Sequence, residues 1–119
     1  MKNVYTCINL KTKHNIITEK HVYIKKDFYK FIPDNVCGVY ILYFNNGEKY
    51  VGSSGILKRR ISQHFFKYGN YIIKGIIYLC KCRKDYLLLE KFYIQKFHPK
   101  MNNLIGCHSK DICIELLNK

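Results

Sequence analysis

The chain predicts a mixed α/β (α+β) fold: a small, largely antiparallel central sheet flanked by helices, with an N-terminal addition. Three observations carry that prediction. The run Gly38-Val39-Tyr40-Ile41-Leu42-Tyr43-Phe44 and the run Tyr50-Val51-Gly52 flank the turn Asn45-Asn46-Gly47, which reads as a hairpin. From Ile56 the apolar residues Leu57, Ile61, Phe65 and Tyr68 recur at helical spacing. A further strand candidate, Gly75–Cys80, is followed by a helical stretch from Tyr86 to Phe97.

Composition narrows the class. The chain has 119 residues, enough for one domain with its own core, and 48% of them are hydrophobic, which excludes disorder as the default state. Its 21 Lys+Arg against 8 Asp+Glu give a formal charge of +13, so a polyanionic partner is expected. No apolar run approaches the roughly 18 residues of a membrane span, and MKNVYTCINLKTKH lacks the apolar centre of a signal peptide. The expected location is intracellular, in the cytoplasm or with nucleoid or nuclear DNA, and not secreted. The six cysteines then read as free thiols of a reducing compartment, the alternative being a zinc site gathered from Cys80-x-Cys82 with Cys107, His108 and Cys113, neither half of which has the usual ligand spacing.

In order along the chain, Val4–Ile8 reads as a short strand before a polar loop from Asn9 to Asn15. His21–Ile32 has no clean period and fits a strand or a short helix. Pro33-Asp34-Asn35 signals a turn and sets a boundary between an N-terminal extension, 1–35, and the domain proper, 36–119. In the hairpin, a three-residue loop with Gly in the left-handed position pairs Phe44 with Glu48, Leu42 with Tyr50, and Tyr40 with Gly52. Tyr40 and Tyr50 then share a face as diagonal neighbours. On the following helix Arg60, His64 and Lys67 line the edge beside the apolar stripe, and Gly69-Asn70 stops it. Asp85 is placed to cap the next helix, Tyr86–Phe97, which is apolar almost all round and so expected to be largely buried, and Pro99 ends it. Ser109 is placed to cap a last short helix through Leu117.

Several residues could carry chemistry. Glu90 is a lone carboxylate among Tyr86, Tyr93, Ile94 and Phe97 on its helix face. Either it pairs with one of many lysines, or it holds a hard cation, since Mg²⁺ needs only one or two carboxylates beside waters and phosphate oxygens. Arg60 and His64 stack at i and i+4, where a guanidinium suits phosphate binding and an imidazole suits proton transfer, although basic residues on a helix edge are commonly just a solvated face. Most of the eleven tyrosines must be packing residues, and a phenol is a poor base at neutral pH unless a cation such as Arg60 lies beside it.

Taken together the spacings resemble one known family. Gly38-Val39-Tyr40, nine intervening residues, then Tyr50-Val51-Gly52 is similar to the signature of the GIY-YIG nuclease superfamily, with Val in place of Ile in both halves. Arg60 falls eight residues after Gly52 and His64 four beyond it, Glu90 lies in LLLEKFYIQKFHPKMN, and Asn102 follows twelve residues later. The resemblance covers about residues 36–104. It implies a metal-dependent endonuclease that hydrolyses DNA phosphodiesters with one divalent ion, Mg²⁺ or Mn²⁺. In that reading Tyr40 is the base or hydrogen-bond partner of the attacking water, and Tyr50 and His64 assist proton transfer. Arg60 neutralises charge on the phosphorane, and Glu90 holds the metal on the leaving-group side. Lys58, Arg59, Lys67 and Asn102 fall to DNA contact, or to fixing the loop in the case of Asn102, and Gly38 and Gly52 allow close backbone approach. The resemblance does not distinguish a site-specific restriction or mobile-element type from a structure-specific repair type, and a short free-standing chain would need a homodimer, a protein partner or its N-terminal extension to read a long site. The alternatives are a catalytically silent nucleic-acid-binding module on the same fold and a membrane-surface protein. The latter is disfavoured because a domain core would consume the apolar stripes.

Overall fold

A computed structural model describes residues 5–11, 17–24 and 27–102. Among these residues, five strands form one sheet: β1 (Tyr5–Lys11), β2 (Ile17–Tyr23), β3 (Cys37–Phe44), β4 (Lys49–Ser54) and β5 (Ile72–Cys80). Their order is β1-β2-β5-β3-β4, and every pairing is antiparallel. Two helices of the described residues cover the sheet, α1 (Leu57–Tyr68) and α2 (Arg83–Phe97), and short 3₁₀ turns occupy Phe28–Phe31 and Gly69–Tyr71.

β3 lies between β4 and β5 and is buried on both faces from Gly38 to Leu42, as its unbroken apolar run requires. Its even residues Tyr40, Leu42 and Phe44 pack with Leu57, Ile61 and Tyr68 of α1. Its odd residues Val39 and Ile41 pack with Val51, Ile76 and Tyr78 and with Leu89 and Tyr93 of α2. The two helices therefore sit on opposite faces. Each fully buried aliphatic side chain in these layers contributes about 1.5–3 kcal/mol.

The hairpin takes the expected register, with Leu42 opposite Tyr50 and Tyr40 opposite Gly52. Phe44 N–H donates to the Glu48 carbonyl at 2.9 Å, Gly47 N–H donates to the Phe44 carbonyl at 3.0 Å, and Gly47 takes φ +86°, the left-handed position that closes the three-residue loop.

The N-terminal strands belong to the same sheet, β2 pairing with β5 and β1 with β2. β1 runs on through Asn9 and Leu10 to Lys11, where a loop was expected, because each of these residues has a partner on β2. The turn at Pro33–Asn35 forms, with Asn35 at φ +61°, but the core crosses it: Phe28 and Ile32 are buried with Tyr40 and Leu42. A Cβ at Gly75 would lie 2.2 Å from Phe28 Cζ, so the bare backbone of β5 is what seats that ring.

α2 departs from expectation twice. It starts at Arg83, which puts Asp85 inside the first turn, where its carboxylate faces the positive end of the helix dipole instead of capping it. Only Leu89 and Tyr93 are buried on it, and Leu87 and Leu88 are 41% and 38% exposed, because one sheet consumes only one stripe of a helix. His98 at φ +47° closes α2 immediately before Pro99. The chain then passes from the α2 face, where Phe97 packs, round to the α1 face, where Met101 is fully buried. The helix expected from Ser109 to Leu117 lies outside the described residues. No helix among the described residues is long and apolar enough to cross a membrane.

Candidate active site

The site is built on β4, an edge strand that pairs only with β3 among the described residues. On the α1 face, Tyr40 points up from the centre of β3 and is 1% exposed. Its ring lies across the neighbouring strand at Gly52, where a Cβ would sit 2.5 Å from both Cζ and the hydroxyl. Gly52 is therefore the opening through which the phenol reaches α1. Gly38 serves the same strand differently, since a Cβ there would press on the Tyr78 carbonyl at 2.0 Å.

The Tyr40 hydroxyl is hydrogen-bonded to His64 Nε2 at 2.8 Å. Tyr50 completes a triangle, its ring 4.9 Å from the imidazole and 6.0 Å from the Tyr40 ring, and it is half-buried. Burial pulls the His64 imidazole down to about 3, with the positive charges of Arg60 and Lys67 adding to the effect. Burial also raises Tyr40 well above the ordinary phenol, with Tyr50 adding to the rise, and Arg60 opposes it by charge and by hydrogen bonding. At neutral pH the pair is an un-ionised phenol beside a neutral imidazole. When the ring proton is on Nδ1, Tyr40 donates to Nε2.

His64 was expected on the helix edge, and the structure places it inside, 2% exposed, in line with Leu57, Ile61 and Tyr68. The signal was present, because His64 stands three residues after Ile61 and four before Tyr68, which is core spacing. Arg60, one turn earlier, is exposed and Nη1 donates to Gln63 Oε1 at 3.0 Å. Arg59 and Lys67 are exposed on the same helix, and Lys58 pairs with Asp34 at 3.3 Å across a solvated gap that contributes little.

Glu90 stands on α2 and meets β4 from the opposite face, where it accepts the Ser53 hydroxyl at 2.8 Å. Of the two readings of this carboxylate, no lysine pairs with it among the described residues. One oxygen accepts the Ser53 hydroxyl, and no hydrogen bond or ion pair engages the other among the described residues. No cluster of three metal-binding side chains exists among the described residues, so a hard cation there would take its remaining positions from water and a phosphate, as magnesium commonly does. Ser53 went unnoticed in the sequence, since a serine next to a strand glycine carries no periodic signal.

Asn102 closes the site on the edge of β4. Its amide nitrogen donates to the Val51 carbonyl at 2.7 Å and its amide oxygen accepts the Val51 N–H at 2.8 Å, so both ends of the side chain are engaged by backbone. It pairs with the strand as another strand would.

The model of the GIY-YIG catalytic domain matches residues 36–103. UvrABC system protein C of Fusobacterium nucleatum is 36% identical over 83 residues, covering 62% of this chain and 14% of that protein. UvrABC system protein C of Mycoplasma mycoides is 37% identical over 75 residues, covering 55% and 13%. The chain thus spans about one-seventh of the length of these relatives. No solved structure gives a significant match. The matched segment holds the whole tyrosine, histidine, arginine and glutamate arrangement, and the chain belongs to the GIY-YIG catalytic domain family.

Proposed function

We propose that the chain is a metal-dependent endonuclease acting on DNA phosphodiesters. The observation that carries the reading is the 2.8 Å contact of Tyr40 with His64, beside Tyr50 and Arg60, one strand away from a carboxylate without a cationic partner among the described residues. Glu90, steadied by Ser53, would hold Mg²⁺ or Mn²⁺. The ion supplies Lewis acidity at the leaving oxygen when bound. The residues of the chain do the rest. Tyr40 takes a proton from the attacking water as it passes its own to His64 Nε2, so that the phenol stays neutral while the water becomes a nucleophile. A phosphodiester anion beside the pair favours the imidazolium that this transfer creates, against the burial and the cations that oppose it in the free chain. Arg60, exposed and tied to α1 through Gln63, balances charge on the phosphorane. Tyr50 packs against the imidazole and fixes its plane.

The test is nicking of plasmid DNA with Mg²⁺ by wild type, Tyr40→Phe, Arg60→Ala and Glu90→Gln. Each variant is expected to lose about 10²- to 10⁴-fold in rate. Cleavage at the wild-type rate by Arg60→Ala and Glu90→Gln would sink the assignment. Mapping the products on duplex, flap and branched DNA then assigns the subtype.

A further inference from the structure

A group of lysines unrelated to the tyrosine triangle gathers on the α2 face, at the hairpin end of the sheet. Tyr43 on β3 is opposite Lys49 on β4 and Lys74 on β5, so the three form one rung across the three strands. Lys74 Nζ lies 4.3 Å from the Tyr43 ring centre and Lys49 Nζ 5.4 Å from it. Lys49 also reaches the Phe97 ring at 5.4 Å, and Lys96 approaches the same ring at 5.6 Å. None of the three has a carboxylate partner among the described residues, where the ion pairs are made by Lys30 and Lys58.

Ammonium groups resting on aromatic faces are oriented before any ligand arrives, which lowers the entropic cost of using them, and without carboxylates their charge is not cancelled. Their position relative to the site is fixed by β4 and α2. Ser53 and Lys49 are four residues apart on one face of β4, about 13 Å at ~3.3 Å per residue. α2 runs alongside, from Glu90 beside Ser53 to Phe97 beside Lys49.

We propose that Lys49, Lys74 and Lys96, held on Tyr43 and Phe97, form a second contact for the phosphate backbone of DNA, about 13 Å along β4 from the strand position that meets Glu90. The identity of the polyanion rests on the nuclease reading. The contact gives affinity and register and reads no bases. It adds to the cations of α1, which lie on the other face.

Duplex binding is measured over a salt titration without metal, in a Glu90→Gln background. The variant K49Q/K74Q/K96Q is compared with K30Q/K81Q/K84Q, which removes the same charge from exposed positions elsewhere. Melting curves check that both remain folded. The patch variant is expected to flatten the dependence of log affinity on log salt by about 2–3, near 0.9 per phosphate contact, and the control by less than about 1. An unchanged slope in the patch variant overturns the proposal, as it would if the patch served an acidic protein, and so does an equal loss in the control. Failure of the cleavage test at Arg60 and Glu90 would leave this slope untouched, so the two readings fail separately.

Discussion

His64 combines two roles that pull against each other. It fills a core position of α1 and it is the polar partner of Tyr40. Its folded pKa of about 3 lies below the ordinary 6.5, so between those values the unfolded chain binds a proton that the folded chain refuses. Stability is therefore expected to fall as pH drops below 6.5 and to stop falling on this account below about 3. The loss between pH 7 and pH 5 is about 2 kcal/mol. Urea unfolding at the two pH values measures it, and His64→Gln, which cannot take up the proton, should remove most of the difference. At this scale the sequence announced the polar residues but not all their settings. Tyr40, Tyr50, Arg60 and Glu90 stood out by type and spacing. The burial of His64 was hidden because a polar side chain on an apolar stripe is counted with the polar edge. Ser53 was hidden because its importance comes only from what approaches it.

At the scale of elements, β4 is the strand on which the site depends, and its outer edge is secured by a side chain. The two Val51 bonds of Asn102 occupy backbone groups that would otherwise face solvent or another chain. Asn102→Ala is expected to cost about 1–3 kcal/mol and to speed hydrogen exchange at the Val51 amide. Unchanged exchange there would remove the clamp from the account. The hairpin itself was legible from the turn, since a three-residue loop ending in glycine admits one register and the register sets the faces. The start of α2 was less legible, because an aspartate favours both the cap and the first turn, and three residues separate the two choices.

For the whole molecule, the family match begins at residue 36, but the physical unit does not. β2 is bonded to β5, and Phe28 is fully buried over Gly75. Phe28→Ala should cost about 3–5 kcal/mol, a large part of the ~5–15 kcal/mol that holds a domain together. A loss below about 1 kcal/mol in urea unfolding would mean that the N-terminal residues are an appendage. Their place in the sheet was not legible because Ile17–Tyr23 alternates poorly, with polar Glu19, Lys20 and His21 in sequence, and its pairing partner lies more than fifty residues away. Long-range pairing leaves no mark in local pattern.

The strand that carries Gly52 and Ser53 has one further consequence. The first residue seats Tyr40 on one side of the sheet, and the second engages Glu90 on the other. Adjacent residues of a strand face opposite ways, and their Cα atoms are separated by a single trans peptide, about 3.8 Å. The span between the tyrosine–histidine half and the carboxylate half is thus set by covalent geometry, the least deformable ruler a protein has. Loosening of the helices can tilt either half, but the gauge between their two seats stays the same.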